Sequence, residues 1–151
     1  MSPFEIKMDM LISSLQEKNN ILNTILNITE NQAQLIDIDK DEEMWAIFVQ
    51  MNDGKQEHID RVIELDNIFQ NIFETISDKF EDNAREIPKK TTDLQALINE
   101  SLELDVKIRA AEQKNKSELS RFKRAAPARP VANSSKAGLL KRYEQNKKKK
   151  E

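Results

Sequence analysis

The side chains best suited to chemistry lie in one stretch, QMNDGKQEHIDRVIELDNIF (residues 50–69), which contains the only histidine of the chain, His58. An imidazole close to carboxylates is a common arrangement for acid–base catalysis or for binding a metal ion. The carboxylates near it, Asp53, Glu57 and Asp60, are hard oxygen ligands beside a lone imidazole, a poor set for the metals that bind histidine. His58 also falls on the apolar seam of a predicted helix, four residues before Val62. We therefore expect a packing histidine, with neither a catalytic nor a metal role.

Other signatures of catalysis or cofactor binding are weak or missing. The segment DIDKDEE resembles a calcium loop, but counting from Asp37 the sixth and twelfth positions hold Glu42 and Phe48 instead of glycine and glutamate. An acidic start to a helix is the simpler interpretation. There is no phosphate-binding loop, no glycine-rich dinucleotide turn and no nucleophile elbow, and there is no cysteine. The sequence therefore predicts no enzyme, no cofactor and no metal.

The helix that carries His58 is predicted to run straight through an Asp53-Gly54 pair, although such pairs often mark turns. The apolar ladder keeps its alternating steps of four and three residues on both sides of Gly54, whereas a chain reversal would restart it in a new phase. An interior glycine destabilises a helix by about 1 kcal/mol relative to alanine, and the packing of such a ladder can offset this cost. The positions of the ladder are Met44, Phe48, Met51, Lys55, His58, Val62, Leu65, Phe69, Ile72 and Ile76.

Composition and boundary signals predict the rest of the fold. The chain of 151 residues is 34% charged and has two glycines and four prolines, which suits long amphipathic helices better than a turn-rich sheet protein. Ser2 is a candidate N-cap with Pro3 at the first helical position, and Pro88 can end one helix and open another. We expect an all-α fold, an elongated antiparallel three-helix bundle over residues 1–124, with helices at about 3–36, 40–82 and 88–124.

Charge is distributed unevenly along the chain. Residues 1–84 carry 6 Lys and Arg against 18 Asp and Glu, whereas residues 121–151 carry 11 against 2. We predict a linker over 125–138 and a basic tail over 139–151 that is either a short helix or disordered. Three roles remain open for the tail: a solvated end, an arm that engages a protein partner or the acidic helices, or a contact with nucleic acid or an anionic membrane.

Two segments resemble a known family. GKQEHIDRVIELDNIFQNIF and LQALINESLELDVKIRAAEQKNKSELSRF are similar to FlgN-type flagellar export chaperones, particularly clostridial-type members, and the match covers roughly residues 20–125. The positions that carry the pattern are Lys55, Gln56, Leu65, Asp66, Phe69, Glu112 and Asn115. Gly54 directly before the Lys-Gln pair departs from the pattern, and the proline-rich linker leaves the tail without a clear correspondence.

This resemblance implies a cytoplasmic helical chaperone without a cofactor. Such proteins bind the C-terminal helices of the hook-associated (hook-filament junction) proteins, prevent their premature assembly and deliver them to the components of the type III export apparatus. Under this hypothesis, the residues expected to contact a partner are Leu119, Phe122, Leu139, Leu140 and Tyr143. For Leu119 and Phe122, ordinary bundle core is the alternative interpretation.

Other functional classes stay open from the sequence. The chain could be a coiled-coil structural or scaffold protein that self-associates through its heptads, so a homodimer is one option. A weaker hypothesis is a nucleic-acid or membrane-surface binder that uses residues 121–151, although no nucleic-acid module is present and nucleic acid is not the expected partner. The acidic N-terminus, the lack of a membrane span and the lack of cysteine predict a cytoplasmic location. The sequence does not identify the client.

Overall fold

The computed structural model describes residues 1–38 and 42–125, which are almost entirely helical. Three long helices are present, α1 (Pro3–Ile38), α2 (Glu42–Ile76) and α4 (Pro88–Ala125), with a 3₁₀ turn (Ser77–Lys79) and a short α3 (Phe80–Ala84) between the last two. No β-strand occurs in these two ranges. The prediction of an all-α helical bundle is confirmed.

The start of α1 follows the predicted capping chemistry. The Ser2 hydroxyl oxygen accepts a hydrogen bond from the backbone N–H of Glu5 at 3.1 Å, and the Ser2 carbonyl accepts one from the N–H of Ile6 at 3.1 Å. The first bond satisfies the Glu5 amide, which has no partner within the helix, and the second is the first bond of the helical ladder. Pro3 takes the first helical position, where its missing N–H has no cost.

Helix α2 passes through Gly54 without a break, as predicted. Gly54 is exposed, and a Cβ atom built on it would meet no atom within 4 Å. The glycine therefore neither makes a turn nor accommodates a close neighbour. The ladder residues on either side keep the helix in place by packing, because Phe48, Lys55 and Val62 are all buried.

The end of the second helix differs from the prediction. We expected helix to about residue 82, but α2 ends at Ile76 and the 3₁₀ turn intervenes before α3. Ile76, directly before the turn, and Lys79, its last residue, have φ values of −123° and −115° with ψ values of −1° and 15°, outside the α-helical range. The ring of Phe80 lies 5.9 Å from that of Phe4 and 5.5 Å from that of Phe73. The tighter winding of the turn brings Phe80 to this aromatic group, a tertiary contact that the heptad pattern does not encode.

The chain divides into two compact units. Unit 1 comprises Met1–Asn23 and Asp60–Val106, and unit 2 comprises Thr24–Ile59 and Lys107–Glu151. The predicted linker began at Ala125, which is instead the last residue of α4. The rest of the predicted linker and the tail, residues 126–151, lie outside the described residues, as do residues 39–41. Helices α1, α2 and α4 each contribute a segment to both units.

In unit 1, α2 runs antiparallel to α1 and α4 runs parallel to it. Two pairs join α1 to α2, Lys7–Thr75 and Glu17–Arg61, with N···O distances of 2.9 and 2.7 Å. Their order along α2 is the reverse of their order along α1. Lys90 of α4 bridges to Asp9 of α1 at 2.9 Å, and further along both helices Asn19 of α1 donates to the Leu97 backbone oxygen of α4 at 3.0 Å. The core between the three helices is apolar, with Met8, Leu11, Leu15, Ile76 and Leu94 buried together.

Unit 2 repeats this arrangement around a smaller apolar core. Ile36, Met44, Trp45, Phe48 and Leu119 are buried together, and the Trp45 and Phe48 rings stack with centroids 5.3 Å apart. Next to this core, polar side chains replace apolar ones at the ladder positions Thr29, Gln32, Lys55 and Asn115, all of which are buried. Four polar side chains are therefore enclosed between the helices of unit 2.

Candidate functional site: a buried lysine cluster and an exposed apolar ridge

The most unusual group of the molecule is the side chain of Lys55, which is buried inside unit 2 with only 1% of its surface exposed. Its Nζ donates to the Glu112 carboxylate at 2.5 Å and to Oε1 of Gln32 at 2.6 Å. Glu112 retains 14% exposure, so the ion pair reaches the surface only on the side of α4. Lys55, Glu112 and Gln32 come from α2, α4 and α1, so a single ammonium group joins all three helices of this unit.

Three further side chains complete what we call the Lys55 cluster. The Thr29 hydroxyl lies 2.9 Å from the Glu112 carboxylate and 2.8 Å from the backbone oxygen of Ile25, and it can donate a hydrogen bond to either of them. Gln32 donates through Nε2 to Oδ1 of Asn52 at 2.8 Å. Asn115 donates to the backbone oxygen of Thr29 at 3.0 Å. The Lys55 cluster is therefore a hydrogen-bonded network, as a buried charge requires.

Burial lowers the pKa of the Lys55 ammonium from its usual value, and the attraction of Glu112 offsets only part of this effect. Removing a charged group from water disfavours its charged form, while an opposite charge nearby favours it. For Lys55, the effect of lost hydration on the pKa is larger than the opposing effect of the attraction to Glu112. The ion pair therefore forms at a substantial desolvation cost, and its contribution depends on both partners being present.

A lysine with a lowered pKa is also typical of catalytic sites. The surroundings of Lys55 favour a different role, because its Nζ is enclosed and already bonded to Glu112 and Gln32. In this conformation a substrate has no route to the amine. The arrangement can fix the relative positions of three helix segments, because each of them supplies a polar group that is satisfied only in this register.

The predicted family-pattern residues are distributed over both units. Lys55, Glu112 and Asn115 meet in the Lys55 cluster, although 57 residues separate the first two along the chain. In unit 1, Asp66 pairs with Lys18 at 2.7 Å, and Phe69 stacks on Phe73 with ring centroids 6.3 Å apart. The two remaining positions, Gln56 and Leu65, are half-buried and buried, respectively.

Of the five residues predicted to contact a partner, the structure describes the side chain of Leu119 alone. Leu119 is buried in the apolar core of unit 2, so it matches the alternative interpretation as a core residue and is not accessible to a partner. Phe122 lies in the last turn of α4, and its side chain is outside the described part of the structure. Leu139, Leu140 and Tyr143 also lie outside the described residues.

The structure exposes a different apolar surface, on α4 in unit 1. Ile98, Leu102 and Val106, which we call the α4 ridge, are 38%, 61% and 66% exposed. Their spacing of four residues places them on one side of the helix, and Leu102 and Val106 are turned away from the buried residue Leu104. The signal in the sequence was that Leu102 and Val106 are apolar at positions outside the phase of the buried residues Leu94, Leu104 and Ile108.

His58 is half-buried on the α2 seam, as its position in the ladder predicts. Over residues 1–38 and 42–125, no group of three or more His, Asp or Glu side chains is placed to hold a metal ion. None of the helices in these ranges combines the length and the apolar character needed to cross a membrane.

Comparison with known proteins gives no family for this chain: family models, curated proteins and solved structures were searched, and none of them matches it. The fold defines the chain as an all-α helical bundle protein. Its function has to be argued from the Lys55 cluster, the α4 ridge and the sequence pattern.

Proposed function

We propose that this protein is a cytoplasmic export chaperone that binds the C-terminal helices of flagellar hook-associated proteins. It prevents their premature assembly and delivers them to the type III export apparatus. The observation that carries the helix-binding step is the α4 ridge. Three apolar side chains in a row on a long helix are the surface that an amphipathic helix of a partner packs against, in the helix-in-groove mode of recognition.

The family resemblance gains support from the Lys55 cluster. Lys55, Glu112 and Asn115 were selected from the sequence as matching positions in separate segments, and the fold brings them into one network. Residues that resemble a family pattern by accident have no reason to meet. Their convergence is what we would expect if the pattern records a shared way of holding the helices together.

The client chemistry fits the ridge. A helix that later joins a coiled-coil assembly has an apolar stripe that is exposed while the client is still a monomer. Packing this stripe on the α4 ridge would cover apolar surface on both partners and would keep clients from associating with each other. The ridge has only three residues, so the affinity stays moderate and release at the export apparatus needs no large input of energy.

The alternative function, a scaffold that self-associates through its heptads, has less support. Most heptad positions of α1 and α2 are already buried within the units, including Leu11, Leu22, Val62 and Leu65. Residues that are covered inside one chain are not available for pairing between chains. The α4 ridge lies outside this heptad pattern.

The test mixes the full chain with a peptide of the C-terminal helix of a hook-associated protein from the same genome. Size-exclusion chromatography with light scattering should show a 1:1 complex at tens of micromolar protein. The double variant Leu102→Gln/Val106→Gln should weaken binding by about 100-fold, because each lost apolar contact is worth roughly 1.5 kcal/mol or more.

The matched control is Ile6→Gln/Met10→Gln, which changes two apolar residues of α1 that have the same spacing of four and are 48% and 49% exposed. This control should bind as the unchanged chain does. The chaperone proposal fails if the unchanged chain binds no hook-associated helix. The assignment of the ridge fails if the two double variants behave alike.

A further inference from the structure

Residues 107–125 of α4, which we call the α4 segment of unit 2, contribute little to the apolar core of that unit. Among the side chains described for this segment, the buried apolar ones are Ile108 and Leu119, eleven positions apart. Helices α1 and α2 provide the larger share of the buried apolar side chains in unit 2: Ile25, Ile36, Met44, Trp45, Phe48 and Ile59.

Between Ile108 and Leu119, the attachment of the segment to α1 and α2 is polar. The Glu112 carboxylate accepts a hydrogen bond from Nζ of Lys55 at 2.5 Å and lies 2.9 Å from the Thr29 hydroxyl. Asn115 donates to the backbone oxygen of Thr29 at 3.0 Å. Contacts of this kind have a modest net effect on stability, because the same groups bond to water when they separate.

Separation of the segment would return buried polar groups to water. Lys55 is 1% exposed, and Oδ1 of Asn115 is buried without a hydrogen-bond partner among the described residues. Both groups bear a desolvation cost while α4 is in place, and hydration removes that cost when α4 leaves. The free energy of opening is therefore smaller than for a segment that is held by a continuous apolar stripe.

The connections between the helices also leave this segment free to separate. Residues 77–87 connect α2 to α4 at unit 1, and residues 39–41 connect α1 to α2 at unit 2. The α4 segment continues from the part of α4 in unit 1, and no loop leads from it back to α1 or α2. It can therefore leave the other two helices of unit 2 through a rearrangement of the chain near residues 106–107 alone.

We infer that the α4 segment of unit 2 opens as one cooperative unit, away from α1 and α2, while unit 1 stays folded, and that the Lys55–Glu112 ion pair holds it closed. Local opening is typical of regions with few buried apolar contacts. Leu119, which is 2% exposed, fixes the far end of the segment, so Leu119, Asn115 and Glu112 must be released together. Opening uncovers the apolar side chains of α1 and α2 that Leu119 packs against.

Native-state hydrogen exchange followed by NMR measures this opening in the unchanged chain. After correction for intrinsic rates, the amides of residues 110–118 should share one opening free energy and exchange at least about 10-fold faster than those of residues 92–104. Low concentrations of urea should accelerate exchange more at residues 92–104, because local opening exposes less surface than the unfolding of unit 1.

Two variants distinguish opening of the segment from unfolding of the whole chain. Glu112→Gln should speed exchange at residues 110–118 by about 100-fold, because the closed form then contains the Lys55 ammonium without an opposite charge. Leu11→Ala, in the core of unit 1, should speed exchange at residues 92–104 by at least about 30-fold and leave residues 110–118 unchanged. The matched control Glu118→Gln, which removes a pair with Arg121 near the surface, should alter exchange by less than about five-fold.

Acylation of Lys55 by acetic anhydride, located by mass spectrometry, gives a second readout, because the closed unit encloses this amine. The rate is measured relative to that of Lys89, which is exposed. It should follow exchange at residues 110–118, so that it rises in Glu112→Gln and stays unchanged in Leu11→Ala.

The inference is overturned if residues 110–118 and 92–104 share one opening free energy and one urea dependence, since unit 2 then unfolds together with unit 1. Protection that falls steadily from residue 108 to residue 119 would also overturn it, because that result indicates fraying from the helix end. So would exchange at residues 110–118 that Glu112→Gln leaves unchanged. No client helix is present in these measurements, so their outcome is independent of the chaperone proposal.

Discussion

Replacing Glu112 by glutamine should destabilise the protein by several kcal/mol at neutral pH, and the loss should shrink as the pH rises. The change keeps the size of the side chain but leaves the Lys55 ammonium, which is 1% exposed, without an opposite charge. Breaking a buried ion pair from one side typically costs about 3–5 kcal/mol. The cluster therefore predicts a loss near the upper end of what single substitutions do.

The loss of stability in Glu112→Gln has an upper limit, which is set by deprotonation of Lys55. When its charge becomes too costly, the amine can release its proton, and holding a lysine neutral at pH 7 costs about 1.4 kcal/mol for each pH unit below its normal pKa of about 10.4. This gives a limit of about 5 kcal/mol at pH 7 and about 2 kcal/mol at pH 9 for the electrostatic part of the loss.

The sign of the pH dependence is determined by the direction of the pKa shift. Burial already lowers the pKa of Lys55 in the folded chain, and removing Glu112 removes the attraction that opposes this effect. The folded state then binds fewer protons than the unfolded state between its lowered pKa and the unfolded value. The stability contributed by Lys55 therefore rises with pH through that window and is constant below it.

Urea unfolding followed by circular dichroism at pH 7 and pH 9 measures both effects. Glu118→Gln is the matched control, because Glu118 is on the same helix and pairs with Arg121 at 3.2 Å near the surface. It should change the free energy of unfolding by no more than about 1 kcal/mol at either pH. A loss below about 1 kcal/mol for Glu112→Gln, or a loss that is the same at both pH values, would refute the buried-charge argument.

Three other changes test the fold. Lys55→Met combined with Glu112→Leu should be far less harmful than Glu112→Gln alone, since apolar replacement of a buried ion pair is often neutral or stabilising, and unfolding that is no better than for the single variant would contradict this. Gly54→Ala should raise the free energy of unfolding by about 0.5–1 kcal/mol because the added methyl meets open space on an exposed helix face, and a loss of stability would show that the glycine is needed. Leu119→Ala should lower the free energy of unfolding by about 2–5 kcal/mol because Leu119 is buried in the core of unit 2. An unchanged melting curve would show that Leu119 is not a core residue.

The sequence predicted the long helices of the fold because buried positions repeat with the period of a helix. The α2 ladder placed Lys55 on the seam beside apolar residues, and the structure buries it there. Its partner could not be predicted in the same way. Helical spacing shows which side of a helix is covered but not which residue of another helix covers it, so the contact with Glu112 was visible only as two positions of one family pattern.

Two features that the sequence did not predict have the same physical cause. The end of α2 at Ile76 depends on Phe80 packing with Phe4, residues that are distant along the chain. The exposure of Leu102 depends on how α4 is rotated in unit 1, which a helix with few apolar residues specifies poorly. Local pattern determines that a helix forms, whereas tertiary contacts determine where it stops and which side it turns outward.

Two asparagines have a consequence for how the sequence can change. In unit 1, Asn19 of α1 donates to the backbone oxygen of Leu97 of α4, and in unit 2 Asn115 of α4 donates to the backbone oxygen of Thr29 of α1. Each leaves its own Oδ1 buried without a hydrogen-bond partner among the described residues. Leucine at both positions would remove this cost and add apolar contact, yet it would also remove two bonds that only one alignment of α4 on α1 can form. A chain selected for stability alone would be expected to lose these asparagines, so their presence suggests that a single fixed alignment of α4 matters more to this protein than a higher melting temperature.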